Sequence, residues 1–142
     1  MEVTNLMQQE KTYVLPKIYG KAGCIIKING KLLAVKNAKC HKWDIPSGKP
    51  EGEELAYQTA ARETYEETGL NAEPIRLLKS SGDFYIFECK IISNEPPNPQ
   101  VPKEFEDEIE MAKFVEIDFF NEENVRFPEV LKDFKEVFNK VE

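Results

Sequence analysis

A single histidine, His41, and three cysteines, Cys24, Cys40 and Cys89, are all the imidazole and thiol ligands this chain possesses. The cysteines show no CxxC spacing, and the Cys40-His41 pair has no second pair to complete a tetrahedral zinc site. The expectation is three reduced cysteines acting as small hydrophobes in a cytoplasmic protein. Positive charge is also short, with 19 Lys and Arg against 26 Asp and Glu and a net charge of −7. That balance excludes a nucleic-acid partner, which needs a cationic surface along a phosphate backbone. It still permits a small phosphorylated ligand, provided cations screen the repulsion. No apolar run approaches membrane-spanning length, and the polar start MEVTNLMQQEK lacks a signal-peptide core. Neither membrane nor export is expected.

What is present suits one packed domain. An apolar share of 41% supports a core, and 142 residues are too few for two ordinary domains. Residues 1–20 read as a polar lead-in with room for one strand, and residues 21–142 as the single domain. Ala22–Ile28 and Lys31–Lys36 are β-rich runs joined by Asn29-Gly30, a pair that tolerates positive φ and so predicts a tight hairpin. Lys42–Pro46 is extended, and a loop over Gly48–Gly52 follows. Glu53–Thr68 has the helical period, with a stripe of Ala56, Tyr57, Ala60, Ala61 and Thr64 and a capping glycine at Gly69. Strands are expected at 73–79, 83–92 and 110–117. The four prolines between Asn94 and Pro102 predict a loop, and residues 129–139 a final helix burying Val130, Leu131, Phe134, Val137 and Phe138. The fold class is α/β.

Three carboxylates, Glu63, Glu66 and Glu67, fall within five residues of the central helix. At about 100° per residue they fan over one side, beside the small stripe. Glu63 and Glu67 are i,i+4 neighbours of like charge, which costs an isolated helix a few tenths of a kcal/mol; Arg62 and Glu66 offset about as much. Helix stability alone therefore gives no reason for the cluster. A hard divalent cation would, because Mg²⁺ takes oxygen ligands and leaves positions for water and phosphate. A solvated acidic face remains the plain alternative.

The spacing around the cluster is more telling. From Gly48 through Glu54, Arg62-Glu63, Glu66-Glu67 and Gly69-Leu70, the chain resembles the Nudix hydrolase signature G-x5-E-x7-R-E-U-x-E-E-x-G-U, with eight of nine specified positions matched. Thr64 stands where the family prefers an aliphatic residue U. Trp43-Asp44-Ile45-Pro46-Ser47-Gly48 resembles the family's W-x-x-P-G-G lead-in, with Ser47 for the first glycine. The resemblance runs from about Ala22 to Asp118. It implies a Nudix fold, a mixed β-sheet sandwiched between helices in an α/β/α arrangement. It also implies Mg²⁺- or Mn²⁺-dependent cleavage of a diphosphate linkage in a small nucleotide.

On this resemblance Glu63, Glu66 and Glu67 bind metal together with the Gly48 carbonyl, Arg62 orients Glu66, and Glu54 plays a supporting structural part. The general base is sought at Glu67 or on the later strand at Glu108, with Glu106 third. Lys36 and Lys49 are candidates to meet phosphate; Trp43, Phe84 and Tyr85 are candidates to line a base slot. The leading substrate is a nucleoside or deoxynucleoside triphosphate, giving monophosphate and pyrophosphate. ADP-ribose, a diphosphate sugar or a dinucleoside polyphosphate is the alternative, and a non-catalytic ligand-binding module the second. A monomer or a homodimer is expected, with residues 11–19 available to an exchanged strand.

Overall fold

The computed structural model describes residues 13–93 and 95–141. Strand β1 (Lys21–Ile25) turns Ala22 and Cys24 to one side and Ile25 to the other, and all three are fully buried. The run expected as one strand over 22–28 breaks at Ile26, so β2 (Lys27–Ile28) belongs to a different sheet. β2 returns into β3 (Lys31–Asn37) through Asn29 and Gly30 at φ 54° and 75°, the left-handed pair that a tight hairpin requires.

Five more strands follow: β4 (Trp43–Asp44), β5 (Ser47–Gly48), β6 (Ala72–Ser81), β7 (Phe84–Ile91) and β8 (Ile109–Val115). They form two four-stranded sheets. One has the order β5-β1-β7-β6 and is mixed, because β1 and β7 run parallel; the other is β2-β3-β4 with β8 also paired to β3. Helix α1 (Ala56–Thr68) packs Ala56 and Ala60 against Ala22, Cys24, Leu33 and Phe87. Helix α2 (Leu131–Lys140) buries Phe134, Val137 and Phe138 in a second cluster with Ile25, Leu32, Ile45 and Ile86. The helices thus serve opposite faces of the β layers, the layered α/β/α arrangement expected.

The central helix starts three residues later than its periodicity suggests. Leu55 is still extended, and its N–H donates to Gln58 Oε1 at 2.9 Å. The next N–H, of Ala56, donates to the Ile18 carbonyl at 2.7 Å. Residues 13–19 therefore form no strand, but Leu15 and Ile18 pack against the α1 cluster. The earlier part of the lead-in, residues 1–12, lies outside the described residues.

One expectation is corrected. Cys24 and Cys89 are not free thiols but a disulfide between β1 and β7, with Cα atoms 5.6 Å apart; only Cys40 is free, and it is exposed. Their separation of 65 residues carries no local signal, and only the parallel pairing of β1 with β7 makes them neighbours. The cysteine-based ground for a reducing compartment falls with it. Thiol titration of the unfolded, unreduced chain should count one thiol, and three after reduction; three without reductant would disprove the bridge.

Candidate functional site

α1 is held down by its small side: Ala56, Thr59, Ala60, Thr64 and Thr68 are buried. Thr64, the departure from the aliphatic preference, is fully buried with its hydroxyl donating to the Ala60 carbonyl at 2.8 Å. Its polar group is satisfied within the helix, so its methyl side packs as an aliphatic residue would. The helix ends at Gly69, where φ is 75° and an added Cβ would lie 2.4 Å from the Gln100 carbonyl oxygen. The Gln100 N–H in turn donates to the Thr68 carbonyl at 2.7 Å, which docks the proline-rich loop on the helix end.

With its small side down, α1 lifts its charged side toward β5. Arg62 is the hub. Its Nε and Nη2 donate to the two oxygens of Glu54 at 2.8 and 3.1 Å, a two-point pairing that fits a planar guanidinium. Nη1 reaches Glu63 at 2.8 Å and Glu66 at 3.0 Å, and Nη2 also meets the Lys49 carbonyl at 2.8 Å. Burial works against the Glu54 charge, yet hydrogen bonds from Arg62, Thr59 and the Glu51 N–H hold its carboxyl below the ordinary range.

The other two carboxyls shift the opposite way. Burial raises Glu63 despite Arg62, and the charges of Glu66 and Glu108 add to the rise. Glu67 is raised much further, by burial first and then by the charge of Glu63; the Ser47 N–H at 2.9 Å opposes this. The charge of Asp44 adds to that rise. Two inward carboxyls one turn apart therefore repel each other beside β5. Gly48 is fitted to Glu63: an ideal Cβ there would stand 2.3 Å from the Glu63 carboxyl carbon and 2.6 Å from both its oxygens.

The oxygens of Glu63, Glu66 and Glu67 on this side of α1 are of the kind that could hold a hard divalent ion such as Mg²⁺ or Mn²⁺. The mutual repulsion is what such an ion would relieve. Among the described residues, no three His, Cys, Asp or Glu side chains already converge on one ion position. Glu63 and Glu66 are turned to Arg62 instead, so loading requires them to exchange part of that pairing.

Asp44 is a member that the sequence did not reveal. It is 6% exposed, and burial pushes its carboxyl up to about 6, against the Ile45 N–H and the charges of Lys21 and Arg126. Its only signal in the sequence is an acid within an otherwise apolar extended quartet, residues 43–46, all of it buried. The folded protein holds this proton more tightly than the unfolded chain. Ionisation therefore costs stability progressively from the ordinary 3.8 to about 6, and fully above that. Asp44→Asn should accordingly stabilise the protein by ~1–3 kcal/mol at pH 8. The gain should vanish in acid, where both carboxyls are protonated. Urea unfolding at both pH values checks this, and a variant weaker at pH 8 contradicts it.

The remaining candidates are placed unevenly. Glu108 is exposed just before β8, close enough for its charge to act on Glu63. Lys49 is exposed beside Gly48. Lys36 is ion-paired with Glu110 at 3.0 Å, and Glu110 also meets His41 Nδ1 at 2.6 Å. Trp43 is a core residue: it is 6% exposed, and its ring meets Phe119 edge-on at 5.0 Å, with Lys113 over it at 5.2 Å. No open ring face is left there for a base. Phe84 is half-buried, with Lys21 5.3 Å from its ring centre, and the half-buried Tyr85 packs its ring against Gly20.

The NUDIX domain profile matches residues 19–134. A MutT-like protein of Streptomyces ambofaciens is 38% identical over 52 residues, covering 37% of this chain and 34% of that protein. Phosphatase NudJ of Escherichia coli (strain K12) is 36% identical over 58 residues, covering 39% and 38%. The chain thus spans little more than a third of the length of these curated relatives. A solved UDP-X diphosphatase superposes with a TM-score of 0.67 at 21% identity, over 99% of this chain and 69% of that one.

Proposed function

The chain belongs to the NUDIX domain family, and from that membership we propose that it hydrolyses the diphosphate linkage of a small nucleotide in a divalent-metal-dependent reaction. The first substrate is a nucleoside or deoxynucleoside triphosphate, giving monophosphate and pyrophosphate. The observation that carries this is the Glu63–Glu67 pair held against β5, with Glu63 against the bare Cα of Gly48 and Glu67 accepting the Ser47 N–H.

Glu63, Glu66, Glu67 and the Gly48 carbonyl hold the ion in this reading. A divalent ion held there would supply charge neutralisation of the diphosphate and a more acidic water. Arg62 positions Glu63 and Glu66 and anchors them to the 49–54 loop through Glu54. Glu108 accepts the proton of the attacking water, from a position exposed to solvent and outside the metal set. Lys49 meets a phosphate oxygen. Lys36 does so less readily, because Glu110 already holds it. A cytoplasmic nucleotide pool suits this activity.

The test is a panel of nucleoside triphosphates, ADP-ribose, diphosphate sugars and dinucleoside polyphosphates, with products identified in Mg²⁺, in Mn²⁺ and in chelator. Pyrophosphate and monophosphate released from triphosphates, and lost in chelator, are expected. Cleavage confined to ADP-ribose or a diphosphate sugar would move the substrate to the alternative class. Silence on every diphosphate would leave a ligand-binding module and end the hydrolase reading.

A further inference from the structure

Among the described residues β8 pairs with β3 along one edge only, and a cavity of about 490 Å³ lies along it. Its apolar lining includes Pro99 and Val101 from the docked loop and Ile109 and Met111 from β8; Glu106 and Glu110 supply carboxylates. The volume is within the usual range for a small-molecule site. Neighbours of its lining residues are tied to α1. Gln100, between Pro99 and Val101, is bonded to the end of α1, and Glu108, between the two acids, acts on Glu63.

The two acids are not equivalent. Glu110 is held in place by Lys36 at 3.0 Å and by His41 at 2.6 Å. The Glu106 carboxylate is exposed and makes no hydrogen bond or ion pair with the described residues. Carboxylates accept hydrogen bonds and donate none, and they repel a further anion. The complement of such a cavity is a flat, uncharged group with adjacent N–H donors, its faces against Pro99, Val101 and Met111.

We propose that the cavity between β8 and the 99–101 loop holds the organic end of the diphosphate substrate and selects a base edge carrying adjacent N–H donors, as guanine does. The proposal rests on the diphosphate-hydrolase reading for its substrate, but base selection can be read without turnover. The experiment is calorimetry on the full chain in Mg²⁺ with non-hydrolysable α,β-methylene analogues of GTP, ITP and UTP. The Kd for the GTP analogue should lie about 10- to 100-fold below those of the other two, the effect of hydrogen bonds to a charged acceptor. Glu106→Gln, on an exposed turn, should erase most of that difference. Met111→Trp, which fills the cavity, should weaken all three analogues while leaving thermal unfolding unchanged. Equal affinity for the three analogues, or an unchanged GTP-analogue Kd in both variants, overturns the proposal. Selective binding without cleavage by the wild type would instead defeat the hydrolase reading and leave this site standing.

Discussion

Glu67→Gln should lower kcat about 10²- to 10⁴-fold at saturating metal and substrate, the range for losing a group that handles metal or proton at the reacting centre. The same substitution should leave stability equal to or above that of the wild type. Glu67 is half-buried with its carboxyl desolvated, faces Glu63 and senses Asp44, and each of these raises the cost of its charge. A neutral amide removes that cost and can still accept the Ser47 N–H through its oxygen. Loss of activity together with a gain in stability is the signature of a residue kept for chemistry at the fold's expense. A solvated acidic face predicts neither effect. Steady-state kinetics paired with thermal unfolding decide between them, and wild-type turnover in Glu67→Gln would remove the proposed centre. Glu66→Gln should lose activity in the same way. Its stability gain should be smaller, because Arg62 already compensates Glu66 at 3.0 Å.

Arg62→Ala should destabilise the fold by about 2–3 kcal/mol, between the ranges for an exposed and a fully buried ion pair, because its pairs are partly buried. The guanidinium is the shared counter-charge of Glu54, Glu63 and Glu66, and it also satisfies the Lys49 carbonyl. Without it Glu63 and Glu66 are left crowded on α1, and Glu54 with the 49–54 loop loses its tie to the helix. Arg62→Lys should recover only a minor part, since an ammonium cannot make the two-point contact with Glu54 while reaching Glu63 and Glu66. The effect should depend on pH with a defined sign. Glu54 is held below its ordinary value, so its pairing stabilises the fold above the unfolded carboxyl range and is lost as pH falls through the folded value. The wild-type advantage should therefore narrow in acid. Urea unfolding at neutral and acidic pH measures it, and a difference under 1 kcal/mol at neutral pH would mean that Arg62 is a surface bridge of little weight.

Most of the site's identity was legible because it is written along one helix. Glu63, Glu66 and Glu67 share a side of α1 by the turn angle alone, and Gly69 takes the left-handed conformation predicted for a helix end. The Asn29-Gly30 hairpin was equally readable. Less was legible where burial decides. Trp43 looked available to a ligand but is spent in the core, and the 22–28 run is divided between two sheets. Cys24 and Cys89 looked independent and are bonded. Asp44 carried only a weak sequence signal, an acid in an apolar quartet, because an acid is unremarkable until the chain around it closes.

By itself the sequence determined the order and period of the elements, the helix that carries the carboxylates, and the turns that need positive φ. Those depend on neighbours within a few residues and on backbone sterics. Only the tertiary structure decided that Gly48 must be bare against Glu63, that Glu67 and Asp44 lose their solvent, and that the 99–101 loop walls a cavity beside β8. Each of these is set by distance and dielectric between segments far apart in the chain, and such quantities exist only once the chain has folded.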